Sequence, residues 1–178
     1  MSAHYHEDDY GMREILPIEF WTYCAVQMDT PEAEAAQQLS ASSPLWEEVC
    51  RLMEKPRCLS SLAIPRGKLT SVLGRYLPEY ERVESGTYAR SEPTERNGGF
   101  GFNSYVGVFF DYDDKDVVQH VWLVKGATTQ QERKAFIDAL SALRQFSEFL
   151  FVDWLKRDLM RLDDRAELMC YFAAALGE

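Results

Sequence analysis

Residues 100–125 read FGFNSYVGVFFDYDDKDVVQHVWLVK. Two runs rich in β-branched and aromatic residues, Phe100 to Tyr112 and Val117 to Lys125, flank the acidic stretch Asp113-Asp114-Lys115-Asp116. Apolar runs on both sides of a short polar turn predict a β-hairpin with an acidic tip. Downstream, Thr129-x-x-Glu132 is a capping box. It opens an amphipathic helix through Phe146, with Ala135, Phe136, Leu140, Leu143 and Phe146 as its apolar stripe. The tail predicts a strand at Phe149–Trp154, a turn at Lys156-Arg157-Asp158 and a short return at Leu159–Leu162. A final helix follows, capped by Asp164-x-x-Glu167.

Upstream, the period also changes along the chain. Glu81 to Ala89 alternates as a strand does, and Ser91 to Gly99 reads as a polar loop around Pro93. Gly67 to Leu77 has helical spacing and stops at Pro78. Pro44 to Lys55 predicts an amphipathic helix, preceded by a short Ala-rich helix at Glu32–Leu39 behind the Thr30-Pro31 cap. Ile18 to Met28 is rich in β-branched and aromatic residues and predicts a long strand. Residues 1–12 are polar and aperiodic and predict a flexible acidic arm. The expected fold class is α+β: one domain over residues 13–178. Its central antiparallel sheet combines the 100–125 hairpin with N-terminal and C-terminal strands, flanked by four to five helices.

The charge is unevenly spread. The 178 residues carry a net charge of −10. Residues 1–60 hold eleven Asp and Glu against four Lys and Arg, whereas residues 61–125 hold nine against eight. A one-sided negative field repels nucleic acid and anionic membrane and favours a basic partner. The longest apolar runs are only a few residues, far below the about 20 that a membrane helix needs. The start, MSAHYHEDDYGMRE, has no basic and apolar leader pattern. Cys24, Cys50, Cys58 and Cys170 show no C-x-x-C spacing, which predicts reduced, mostly buried thiols in a cytoplasmic protein.

Chemistry-bearing patterns are sparse. His4-x-His6 with Glu7, Asp8 and Asp9 has metal-ligating residue types, but a flexible arm does not preorganise ligands. Asp111-x-Asp113-Asp114-x-Asp116 has Asp116 and Trp122 where a calcium loop needs Gly and Glu. Cys24 and His120 form a dyad only if their strands are neighbours. Asn97-Gly-Gly-Phe-Gly101 leads into a strand and lacks phosphate-loop spacing. Paired carboxylates such as Glu47/Glu48 and Asp163/Asp164 stand where helix caps and solvated faces want them.

The expected function is therefore a non-enzymatic, cytoplasmic binding or inhibitor protein for a basic protein partner, with no metal or cofactor. A bacterial toxin-neutralising immunity protein is one instance. The candidate contact residues are Asp111, Tyr112, Asp113, Asp114 and Asp116 on the hairpin tip, with Glu47 and Glu48 in the acidic N-terminal region. The alternatives are a small enzyme or ligand-binding domain with an unrecognised pocket, and a subunit of a homo- or hetero-oligomeric assembly.

Overall fold

Strand residues alternate between two faces, and here both faces of the larger sheet are covered. The computed structural model describes residues 1–28, 59–87, 90–124 and 129–174. In chain order the elements are β1 (Ser2–His6), β2 (Arg13–Pro17), α1 (Trp21–Met28), α2 (Arg66–Leu73), β3 (Arg82–Thr87), β4 (Arg90–Pro93), β5 (Asn97–Asn103), β6 (Val106–Tyr112), β7 (Val118–Val124), α3 (Gln130–Ala142), β8 (Phe149–Asp153), β9 (Asp158–Arg161) and α4 (Arg165–Ala174). Six strands run in the order β5-β6-β7-β2-β8-β9, each antiparallel to its neighbours. The other three form a separate sheet, β1-β3-β4, in which β1 and β3 are parallel.

The alternation sorts the core. Val108, Phe110, Val121, Leu123, Ile15 and Phe151 point to one face and pack with α2, α3 and α4. Phe109, Trp122 and Val124 point to the other and meet Ala3, Tyr5, Tyr80 and Val83 beneath the small sheet. Farther along that face, Leu16, Leu150 and Val152 pack on Cys24 and Met28 of α1. Each large side chain fully buried this way contributes about 1.5–3 kcal/mol.

This architecture corrects the expected one. A single central sheet flanked by four to five helices is replaced by nine strands in two sheets and four α-helices among the described residues. Four local causes account for the difference. First, the run from Phe100 to Tyr112 is two strands. Asn103 Oδ1 accepts from Tyr105 N at 3.0 Å and reverses the chain, and the Tyr80 hydroxyl lies within donating distance of Asn103 O, at 2.8 Å, and Val106 O, at 2.7 Å, at the turn ends, with its one proton shared between them. A Cβ on Gly101 would collide with that hydroxyl, so glycine is required there. Second, the stretch expected as the loop Ser91–Gly99 supplies most of β4 and the start of β5. Third, Ile18–Met28 is a short 3-10 turn followed by α1; burial of Cys24 and Met28 against the sheet overrides the strand propensity of Trp21, Thr22 and Tyr23. Fourth, Ser2–His6, expected as part of a flexible arm, forms β1. Ala3 and Tyr5 are buried while His4 and His6 alternate outward, and β1 pairs with β3 from Ser2↔Arg82 to His6↔Gly86.

Other expectations hold. The Thr129 hydroxyl accepts from Glu132 N at 3.1 Å and the Glu132 carboxylate accepts from Thr129 N at 2.9 Å, so the capping box starts α3. Asp164 Oδ1 accepts from Glu167 N at 3.0 Å at the start of α4. The helices expected at Glu32–Leu39 and Pro44–Lys55 lie outside the described residues.

One carboxylate ties the halves together. Asp153, with no exposure, accepts from Arg13 Nε at 3.0 Å on β2, from the Tyr171 hydroxyl on α4, and from Leu155 N and Lys156 N in the turn after β8. Burial, then the hydrogen bond to Asp153, raises the Tyr171 phenol above its ordinary range. Removing one partner of a buried ion pair leaves the other charge uncompensated. Asp153→Ala is expected to lower stability by about 3–5 kcal/mol in urea unfolding, against a much smaller loss for exposed Asp114→Ala.

Candidate functional site

The acidic hairpin tip falls where the sequence places it, between β6 and β7, but its carboxylates are engaged by the chain itself. Asp113 Oδ1 accepts from Lys115 N and Val117 N, both at 2.9 Å, and builds the turn. Asp114 pairs with Arg96. Asp116, in the left-handed region at φ 57°, lies 3.5 Å from Arg66 Nη1 and its carbonyl accepts from Arg66 N at 2.8 Å. The Arg66 guanidinium sits 4.6 Å from the centre of the Tyr112 ring, a cation–π contact. Asp111 pairs with His120 and Tyr10 rather than with the arginines at the tip. Glu47 and Glu48 lie outside the described residues.

Asp111 anchors a second cluster that sequence reasoning did not assemble. Its Oδ2 accepts from the Tyr10 hydroxyl at 2.7 Å and lies 2.9 Å from His120 Nδ1, and its Oδ1 accepts from His120 N at 2.9 Å. Tyr10 comes from the N-terminal segment, 110 residues from His120. Burial, then the hydrogen bond and charge of Asp111, raise the Tyr10 phenol. A carboxylate on Nδ1 orients the imidazole and leaves Nε2 as its second nitrogen, the arrangement that positions a histidine base. Cys24 does not share that arrangement. It packs with Leu16, Leu150 and Val152, and burial and the Glu14 charge push its thiol up to about 12. Such a thiol is not a nucleophile at neutral pH. Cys170 is exposed, contrary to the expectation of buried thiols, and Cys50 and Cys58 lie outside the described residues.

A cleft lies on the small sheet. About 510 Å³ is bounded by His4, His6, Asp9, Glu84, Ser91 and Tyr105, among others. Pairing explains why they converge: His4 is opposite Glu84, and Ser91 is opposite Gly86, so these side chains share a face. Ser91 Oγ donates to Glu84 Oε2 at 2.9 Å and lies 3.1 Å from His4 Nδ1. Glu84 also pairs with Arg82 at 2.9 Å. His6 Nδ1 accepts from Asp8 N at 3.3 Å. Asp9 has no ion-pair partner among the described residues. Tyr105, held at the β5–β6 turn, is 61% exposed, the most exposed large apolar residue among those described. The alternation of Ala3-His4-Tyr5-His6 was the sequence signal for this face, hidden by its polar composition. Among the described residues, no three His, Cys, Asp or Glu come together as a metal would require, and no helix is long and apolar enough to cross a membrane. Comparison with known proteins gave no match to a family model, a curated protein or a solved structure.

The tip makes a pH-dependent prediction. Backbone hydrogen bonds from Val117, and then Lys115, hold the exposed Asp113 carboxylate below its ordinary range. A depressed folded-state value stabilises the fold above the ordinary carboxylate range, and that contribution is lost as pH falls through the depressed value. Asp113→Asn is therefore expected to unfold at lower urea than the parent at neutral pH. In strong acid the two midpoints converge.

Proposed function

We propose that the protein is a non-enzymatic binding or inhibitor protein that acts in the cytoplasm. It engages a basic protein partner through acidic and aromatic surface, as a bacterial toxin-neutralising immunity protein does. The observation that carries this reading is Tyr105, a ring 61% exposed beside a cleft that also presents Asp9, while Glu84 in the same cleft is already paired with Arg82. A rigid, amphipathic ring next to carboxylates suits an arginine or lysine side chain, which gains both a π face and an acceptor. The net charge of −10, concentrated in the N-terminal third, supports the sign of the partner and speeds encounter with it. The hairpin tip contributes less to this reading than its composition suggests, because Arg66 and Arg96 already meet its carboxylates.

The test is affinity capture from the native host with the full chain and two variants, followed by binding kinetics on the captured protein. One basic protein at one-to-one stoichiometry is expected, with an on-rate that falls as salt rises. Tyr105→Ala should cost about 2 kcal/mol of affinity, as a central anchor does, and Asp9→Lys should slow association. Capture of an acidic protein, or affinity unchanged in both variants, counts against the reading.

A further inference from the structure

Two histidines line the cleft beside Tyr105. His4 and His6 stand two residues apart on β1, so both rings leave the same face of the small sheet. Each ring is tied to a carboxylate. Arg82 Nε lies 2.9 Å from Glu84 Oε1, Ser91 Oγ donates to Glu84 Oε2 at 2.9 Å, and His4 Nδ1 lies 3.1 Å from Ser91 Oγ. A serine hydroxyl has one proton to give. Spent on Glu84, it leaves the Ser91 oxygen to accept from His4 Nδ1–H. The neutral His4 ring therefore carries its proton on Nδ1 and its lone pair on Nε2. A second proton goes to Nε2, and the chain from Arg82 through Glu84 and Ser91 holds the ring in place in both states. His6 Nδ1 lies 3.2 Å from Asp8 Oδ2, a carboxylate that its protonated form meets.

The charges around the two rings come from three directions. β3 supplies Glu84 and, through it, Arg82; the segment just after β1 supplies Asp8 and Asp9; β4 and the β5–β6 turn supply the hydroxyl groups of Ser91 and Tyr105. With both rings neutral, three carboxylates stand against one guanidinium. With both rings protonated, three negative groups stand against three positive ones, and the attraction for a cation is cancelled. The His4 ring lies 6.4 Å from the Tyr105 ring, with the planes at 77°. That separation is inside the about 10 Å over which charges act at ordinary salt, so a charge on His4 opposes a cation on Tyr105.

We propose that the cleft is a pH-gated cation site, which holds an arginine side chain of the basic partner at neutral pH and releases it at about pH 5.5, when His4 and His6 take up protons. The inference rests on the reading of this cleft as the surface where that partner docks. Histidine is the side chain whose ordinary chemistry changes charge in this interval, and two of them line one cleft with the exposed ring.

The test uses N-acetyl-L-arginine amide, a single arginine side chain, titrated into the full chain while the ring signals of Tyr105, His4 and His6 are followed by NMR. Saturable shifts of the Tyr105 signals are expected at about pH 7.5, with an affinity about tenfold or more weaker at about pH 5.5. By reciprocity, saturating probe should move the titration midpoints of His4 and His6 to lower pH, an effect that a purely structural histidine would not show. His4→Asn and His6→Asn each keep an amide able to hydrogen-bond where Nδ1 stands. The double variant should bind the probe at both pH values within about twofold. Each single variant should recover part of the loss, and its remaining histidine reports that the strand is folded. No shift of the Tyr105 signals at about pH 7.5 overturns the proposal; capture of a basic protein from the host would then still support a partner that docks elsewhere. Equal affinity at both pH values also overturns it. So does an acid loss that persists in the double variant, which would place the effect on the carboxylates.

Discussion

The Asp153 carboxylate is the constraint on which the rest of the structure depends. It is wholly buried, yet it accepts hydrogen bonds from β2, α4 and the turn that follows its own strand. A buried charge is tolerated only when its lone pairs are met with good geometry. Meeting them fixes where β2 lies against β8, how deep Tyr171 of α4 enters, and how the chain leaves β8.

The two faces of the six-stranded sheet divide the remaining work. On one, three helices cover Phe110, Leu123 and Phe151; on the other, the small sheet covers Phe109 and Trp122, which are directly paired across β6 and β7. Covering the second face with another sheet creates the cleft, since the outward side chains of β1, β3 and β4 then form a polar floor beside the β5–β6 turn. The charge surplus that marks the sequence is partly spent inside the molecule. Tip carboxylates meet arginines from α2 and from the segment before β5, so net charge per residue overstates the field that a partner would feel there.

What was legible in the sequence was local. The hairpin turn, the capping box of α3, the alternation of β3 and the strand-turn-strand tail each carry their signal within a dozen residues. The misread elements owe their state to distant partners. Ser2–His6 is polar at every second position and becomes a strand only because Arg82–Thr87 lies beside it. Trp21–Met28 has strand-forming residues and becomes helical because Leu16, Leu150 and Val152 offer it an apolar surface. The candidate contact residues were found as a charged run, while the groups that qualify them, Arg66, Arg96, Tyr10 and His120, come from elsewhere in the chain.

The parallel pairing of β1 with β3 also sets the order in which the chain can be completed. The first strand has to wait for a partner about eighty residues later, and Arg13 waits for Asp153, 140 residues away. Closing loops of that length costs entropy before any contact repays it. Domains dominated by such pairings fold slowly, in the range of milliseconds to seconds. The meander of β5, β6 and β7, whose contacts are near in sequence, can form first and serve as the template. The segment carrying β1 is then among the last pieces to dock, although it is synthesised before the strand it pairs with, and its exposed edge during that interval is where a chaperone would act.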